Sequence, residues 1–91
     1  MPVKSERIYR ELKKRLARNV ARERHAQGLT CEELGRRSGL HWRHIQKVEA
    51  GDANITLLTI ARLAQGLDVD VGGLVSSCPD PISRPRKDRT R

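Results

Sequence analysis

The chain has 91 residues, with 19 Lys and Arg against 11 Asp and Glu, a net charge of +8 and a sequence pI near 10.5. That length makes one domain with a modest core, and the charge points to a polyanionic partner, nucleic acid ahead of an anionic membrane surface. No apolar run approaches a membrane span, and the start MPVKSERIYR lacks the apolar centre of a secretory signal. Two cysteines, Cys31 and Cys78, with no C-x-x-C pair, exclude a disulfide framework and a zinc finger. The expected place of action is the cytoplasm.

Taken in order, Ser5 to Gln27 reads as one long helix. Ile8, Leu12, Leu16 and Val20 recur every four residues beside Ala17 and Ala21, an apolar stripe at helical period. Its other faces carry Arg7, Arg10, Lys13, Lys14, Arg15, Arg18, Arg22 and Arg24, a run read by default as a solvated face. Gly28 closes the helix and Leu29 enters the core. Thr30 with Glu33 is a capping-box signature that starts a second helix, which Gly39 ends by supplying a position that tolerates positive φ. A third helix runs from about Trp42 to Ala50, with Ile45 and Val48 inward and Gly51 after it. After the loop Asp52 to Ile55, a fourth helix starts at an N-cap Thr56 and runs to about Gly66, with Leu57, Ile60, Leu63, Ala64 and Leu67 inward. Asp70 caps a brief fifth helix through Val71, Leu74 and Val75, weakened by Gly72 and Gly73. From Ser76 the composition turns to Pro79, Pro81 and Pro85 among Arg84, Arg86, Lys87, Arg89 and Arg91, a disordered basic tail.

The expected fold is therefore all-α, with four or five helices and an aliphatic core. The division is an N-terminal extension of helix 1 over 1–15, the DNA-binding domain over 16–75 and the tail over 76–91. Helix, short Gly-containing turn, helix over 30–51 is the helix-turn-helix pattern, whose second helix enters the major groove of duplex DNA. With Ile45 and Val48 buried, the rotation of about 100° per residue puts Arg43, Gln46, Lys47 and Ala50 on the opposite side, flanked by Trp42 and His44. Arg and Lys suit guanine O6 and N7, and Gln suits adenine N6 and N7. Arg43 is assigned a base contact, and Lys47 a base or a phosphate. Trp42 has two readings of equal weight, a thymine methyl or sugar-phosphate contact and a partly buried packing residue. His25, His41, His44 and Cys31 lack the spacing of a metal site and are read as ordinary polar residues, so no metal or cofactor is expected.

Arg24, Gly28-Leu29-Thr30, Leu34-Gly35, Gly39-Leu40, Ile45, Val48-Glu49, Gly51, Leu63-Ala64, Leu67 and Leu74 together resemble the phage-repressor/Cro helix-turn-helix family, often called XRE-type, over about Leu16 to Val75. The resemblance implies a compact lambda-repressor-like domain and a structural ion pair between Arg24 and Glu49. It also implies DNA-backbone contacts at Thr30 and Cys31 and at Asn54 and Thr56; Arg18, Asn19 and Arg22 on helix 1 and His44 on the flank of helix 3 are further phosphate candidates. Three positions depart from the family pattern: Cys31 stands for a usual Gln, Gly35 for Ala and Ile55 for Pro.

The function these readings imply is a sequence-specific transcriptional regulator of the prokaryotic cytoplasm. It would act as a homodimer on a pseudo-palindromic operator, as phage or plasmid repressors and restriction-modification controllers do. Val69, Val71, Leu74 and Val75, or Ile8, Tyr9 and Leu12, are the candidate dimer surfaces. The alternative is an antitoxin that neutralises a partner toxin and autoregulates its operon. An enzyme is not expected, since no Ser/His/Asp set, phosphate-binding Gly loop or HExxH is present.

Overall fold

The computed structural model describes residues 4–77, which form five helices and, among the described residues, no strands. They are α1 (Lys4–Ala26), α2 (Cys31–Ser38), α3 (Trp42–Glu49), α4 (Leu57–Leu67) and α5 (Val71–Leu74). The tail reading, and Cys78 with it, lies outside the described residues apart from Ser76 and Ser77.

Each boundary has a local cause. Gly28 leaves α1 at φ 69°. Thr30 caps α2 in the reciprocal way its sequence predicts: Thr30 Oγ1 accepts from the Glu33 N–H at 3.0 Å, and Glu33 Oε1 accepts from the Thr30 N–H at 2.8 Å. Gly39 ends α2 at φ 77° and donates its N–H to the Gly35 carbonyl at 2.8 Å. Thr56 caps α4 by accepting from the Thr59 N–H at 3.1 Å, and Asp68 closes it at φ 58°. The fifth helix is only four residues long, in keeping with Gly72 and Gly73 inside it, and Asp70 stands at its start without a side-chain capping bond.

Leu16, Val20, Leu34, Ile45, Val48, Leu63, Leu67 and Leu74 close around one core, with Leu29, Leu40, Ile60 and Val69 packed against it. α2 crosses α4 closely at Gly66, where a Cβ would lie 2.9 Å from the Ser38 Cβ and 3.0 Å from a Leu34 methyl. Ser38, buried at this crossing, satisfies its hydroxyl by donating to the Leu34 carbonyl at 2.8 Å. Gln27 Nε2 donates to the Leu67 carbonyl at 2.7 Å and ties the end of α1 to the end of α4.

Two expectations about burial are corrected. Leu57 was expected inward but is 84% exposed, and Leu58 beside it is 60% exposed. In the same turn Thr59 is buried and Ile60 packs against the core, so α4 turns Leu57 and Leu58 outward. Leu74, expected as a candidate dimer residue, is fully buried and belongs to the core, whereas Val71 is exposed.

Candidate nucleic-acid interface

α3 is the element on which the site is built, and three neighbours hold it. On the turn side, a Cβ at Gly35 would fall 2.5 Å from the Leu40 carbonyl oxygen and 3.4 Å from the Trp42 nitrogen. The glycine that replaces the family's usual Ala thus allows the chain after the turn to lie directly on α2. Arg62 of α4 donates to the Gly39 carbonyl at 3.2 Å and fixes the turn from the other side. His41 caps α3, its Nδ1 accepting from the Arg43 N–H at 3.0 Å. At the far end, Arg24 grips Glu49 with two parallel bonds, Nε to Oε2 at 2.7 Å and Nη2 to Oε1 at 3.0 Å, and also donates to the Leu29 carbonyl at 2.8 Å. Both side chains are only about one-seventh exposed, at 13% and 14%. The bond to Glu49 raises the Arg24 pKa above its ordinary value, so the guanidinium stays charged. The ion pair expected between helices α1 and α3 is thus formed.

With Ile45 and Val48 buried, Arg43, Gln46 and Lys47 are exposed together on the outer face of α3. Trp42 is half-buried, stacked beside His41 with ring centroids 5.7 Å apart, and the Arg43 guanidinium lies 5.2 Å from its ring centre. Trp42 is thus a partly buried packing residue, and the Arg43 guanidinium lies over its ring. A shallow depression formed by Glu32, Gly35, Arg36, Leu40, His41 and Trp42 borders this end of the helix. It brings in the exposed Arg36, which the sequence did not single out.

The phosphate candidates fare less uniformly. Asn54 and Thr56 stand exposed in and after the α3–α4 loop, Thr56 with its hydroxyl engaged in capping α4. Thr30 is exposed, but both its polar groups serve the capping box. The Cys31 side chain packs against the core, and burial pushes its thiol pKa up, so the side chain is a neutral packing group rather than a backbone contact. His44 is half-buried with its Nε2 shielded and, among the described residues, without a partner, so that nitrogen does not face outward.

On helix 1 the assignments need correction. Asn19 is fully buried and donates to the Leu74 carbonyl at 2.9 Å and the Ser76 carbonyl at 3.1 Å, so it closes the α1–α5 junction and reaches no phosphate. Arg18 is committed to the same junction, donating to the Ser76 and Ser77 carbonyls at 3.1 and 3.2 Å. Arg22, one turn further, lies about 160° around α1 from Arg24, away from the side that meets α3.

These features define a helix-turn-helix protein of the phage-repressor/Cro type, whose outer helix is built to face DNA. A family model described as helix-turn-helix matches residues 20–74, and the chain belongs to that family. Among curated proteins it is 38% identical over 66 residues to an uncharacterised HTH-type transcriptional regulator, y4dJ, of Sinorhizobium fredii, covering 72% of this chain and 86% of that protein. It is 37% identical over 68 residues to the control protein C.SmaI of Serratia marcescens, covering 75% and 81%. Among solved structures it matches the restriction-modification controller protein C.AhdI of Aeromonas hydrophila with a TM-score of 0.66 at 32% identity, over 68% of this chain and 94% of that one. A hypothetical transcription factor, NHTF, from Neisseria gives a TM-score of 0.67 at 30% identity, over 87% and 82%. The chain is a DNA-binding transcriptional regulator of this family.

Proposed function

We propose that the chain acts in the cytoplasm as a homodimeric, sequence-specific regulator of the controller type, with α3 reading bases in the major groove. The observation that carries this reading is the exposure of Arg43, Gln46 and Lys47 on one face of a helix clamped at both ends, by Gly35 and His41 before it and by Arg24 through Glu49 after it. Arg43 pairs with a guanine, Gln46 with an adenine, and Lys47 with a base or the adjoining phosphate. Trp42 supports Arg43 and covers the sugar-phosphate edge, while Asn54 and Thr56 grip the backbone beyond the helix. Thr30 contributes through its place at the α2 start, and His44 only after its ring turns outward.

One domain spans only a half-site, so two copies related by a two-fold axis are the natural reader. The exposed pair Leu57 and Leu58 is the apolar surface we assign to the second copy. Two of the relatives carry restriction-modification or control in their names, which supports the controller role over that of a general repressor. No finding favours a toxin partner. Selection from a random-sequence duplex pool tests the proposal. It should enrich a two-fold related pair of short motifs, and recovery of no common sequence would contradict it.

A further inference from the structure

The N-terminal half of α1 precedes the stretch matched by the family model, which begins at residue 20, yet it is built into the site. Tyr9 Oη accepts from the Ile55 N–H at 3.2 Å, and Lys13 Nζ lies 5.0 Å from the Tyr9 ring centre. Tyr9, Leu12 and Lys13 form one wall of a groove of about 140 Å³ whose other wall includes Ile55, Thr56 and Ile60. The extension is thus docked on the α3–α4 loop, the segment that carries Asn54 and Thr56.

Helix geometry then puts charge on the side of α1 that faces α3. At about 100° per residue, Arg10 lies about 40° and Lys13 about 20° from Arg24 around the α1 axis, and Arg24 is the residue that meets α3. Among the described residues neither Arg10 nor Lys13 forms an ion pair, whereas Arg15, on the far side, pairs with Glu11 at 3.5 Å. Two cations without an acidic partner, Lys13 over the ring of a hydrogen-bonded tyrosine and Arg10 next to that tyrosine in the chain, beside a loop with exposed polar groups, suit a phosphodiester backbone better than bulk water.

We propose that the N-terminal half of α1 is an additional DNA-backbone contact, in which Arg10 and Lys13 neutralise phosphates beside the α3–α4 loop while Tyr9 holds that loop in place. This rests on the DNA-binding reading above. The arm lengthens the contacted stretch beyond what the helix-turn-helix covers, and it adds affinity without adding sequence preference.

The test measures the salt dependence of binding to the selected operator and to a random duplex of equal length. It compares the wild-type chain, Arg10→Ala/Lys13→Ala, and a charge-matched control, Lys4→Ala/Arg15→Ala, taken from the far side of α1. Alanine keeps the helix in both variants. Each phosphate contact contributes about 0.9 to the slope of log K against log salt, so the first variant should lose about 1.8 on both DNAs. Raising salt from about 50 to about 200 mM should then weaken the wild type about tenfold more than that variant, with the control matching the wild type. An unchanged slope in the first variant, or an equal loss in the control, would overturn the arm while leaving DNA binding intact. A wild-type chain that fails to bind either duplex would overturn both readings together.

Discussion

Gly35 stands where a Cβ would meet the Leu40 carbonyl oxygen at 2.5 Å, a contact with backbone that cannot rotate away. Gly35→Ala should therefore force the turn off α2 and destabilise the fold by about 1–3 kcal/mol, the usual cost of overpacking. Thermal unfolding checks this, and a variant as stable as the wild type would show that the turn has slack. Glu49 gives the opposite test. Its carboxylate is bonded twice by Arg24, so Glu49→Ala leaves a shielded guanidinium unmatched and should cost about 3 kcal/mol in denaturant unfolding. Operator preference should remain that of the wild type, because Glu49 faces α1; a change in preference at unchanged stability would make it a reader. The Arg24–Glu49 pair was legible only through the family resemblance. Asn19 was not legible at all: next to Arg18 on a charged helix it looks solvated, and its partner is a backbone carbonyl 55 residues away. His41 was also missed as a cap, since histidine is not among the residues that normally take that position.

At the scale of elements, what depends on local chemistry could be read in advance. The start of α2 follows from Thr30 and Glu33 and its end from Gly39, because capping and left-handed turns involve residues within one helical turn. The weakness of α5 follows in the same way from its glycines. The exposure of Leu57 could not be read, because it stands seven residues before the buried Ala64 and so shares the helical period of the buried positions. Periodicity reports the side of a helix, not how far its partner extends. The α2 cap also has a pH signature. The hydrogen bond from the Thr30 N–H holds the Glu33 carboxyl below its ordinary range. A depressed carboxyl contributes stability that is present above the unfolded value of about 4.3 and is lost as pH falls through the lower folded value. The acid loss of stability should therefore be shallower in Glu33→Gln than in the wild type, as read from melting temperatures below about pH 4.3. Parallel profiles would remove Glu33 from the account.

For the whole molecule, the sequence was sufficient for the all-helical fold and for the face of α3 that looks outward, since both follow from which residues are apolar. It was not sufficient for the surface between copies. Val71 is free to take part, but Leu74 fills the core, and the exposed leucines are at the start of α4. Leu57→Asp and Leu58→Asp change exposed positions and should leave the fold standing while shifting sedimentation from dimer to monomer. A dimer that survives both would move the interface to Ile8 and Tyr9, which are also exposed. The tighter claim is that this small domain recognises sequence through α3, with Arg43 as the principal reader. The most direct measurement is the affinity of wild type and Arg43→Ala for the selected operator and for random duplex at one salt concentration. Arg43→Ala should lose about 1–3 kcal/mol on the operator, with relaxed preference at one base pair and a much smaller loss on random DNA. Equal losses on the two DNAs would contradict the account, because Arg43 would then be a phosphate contact and α3 would not read through it.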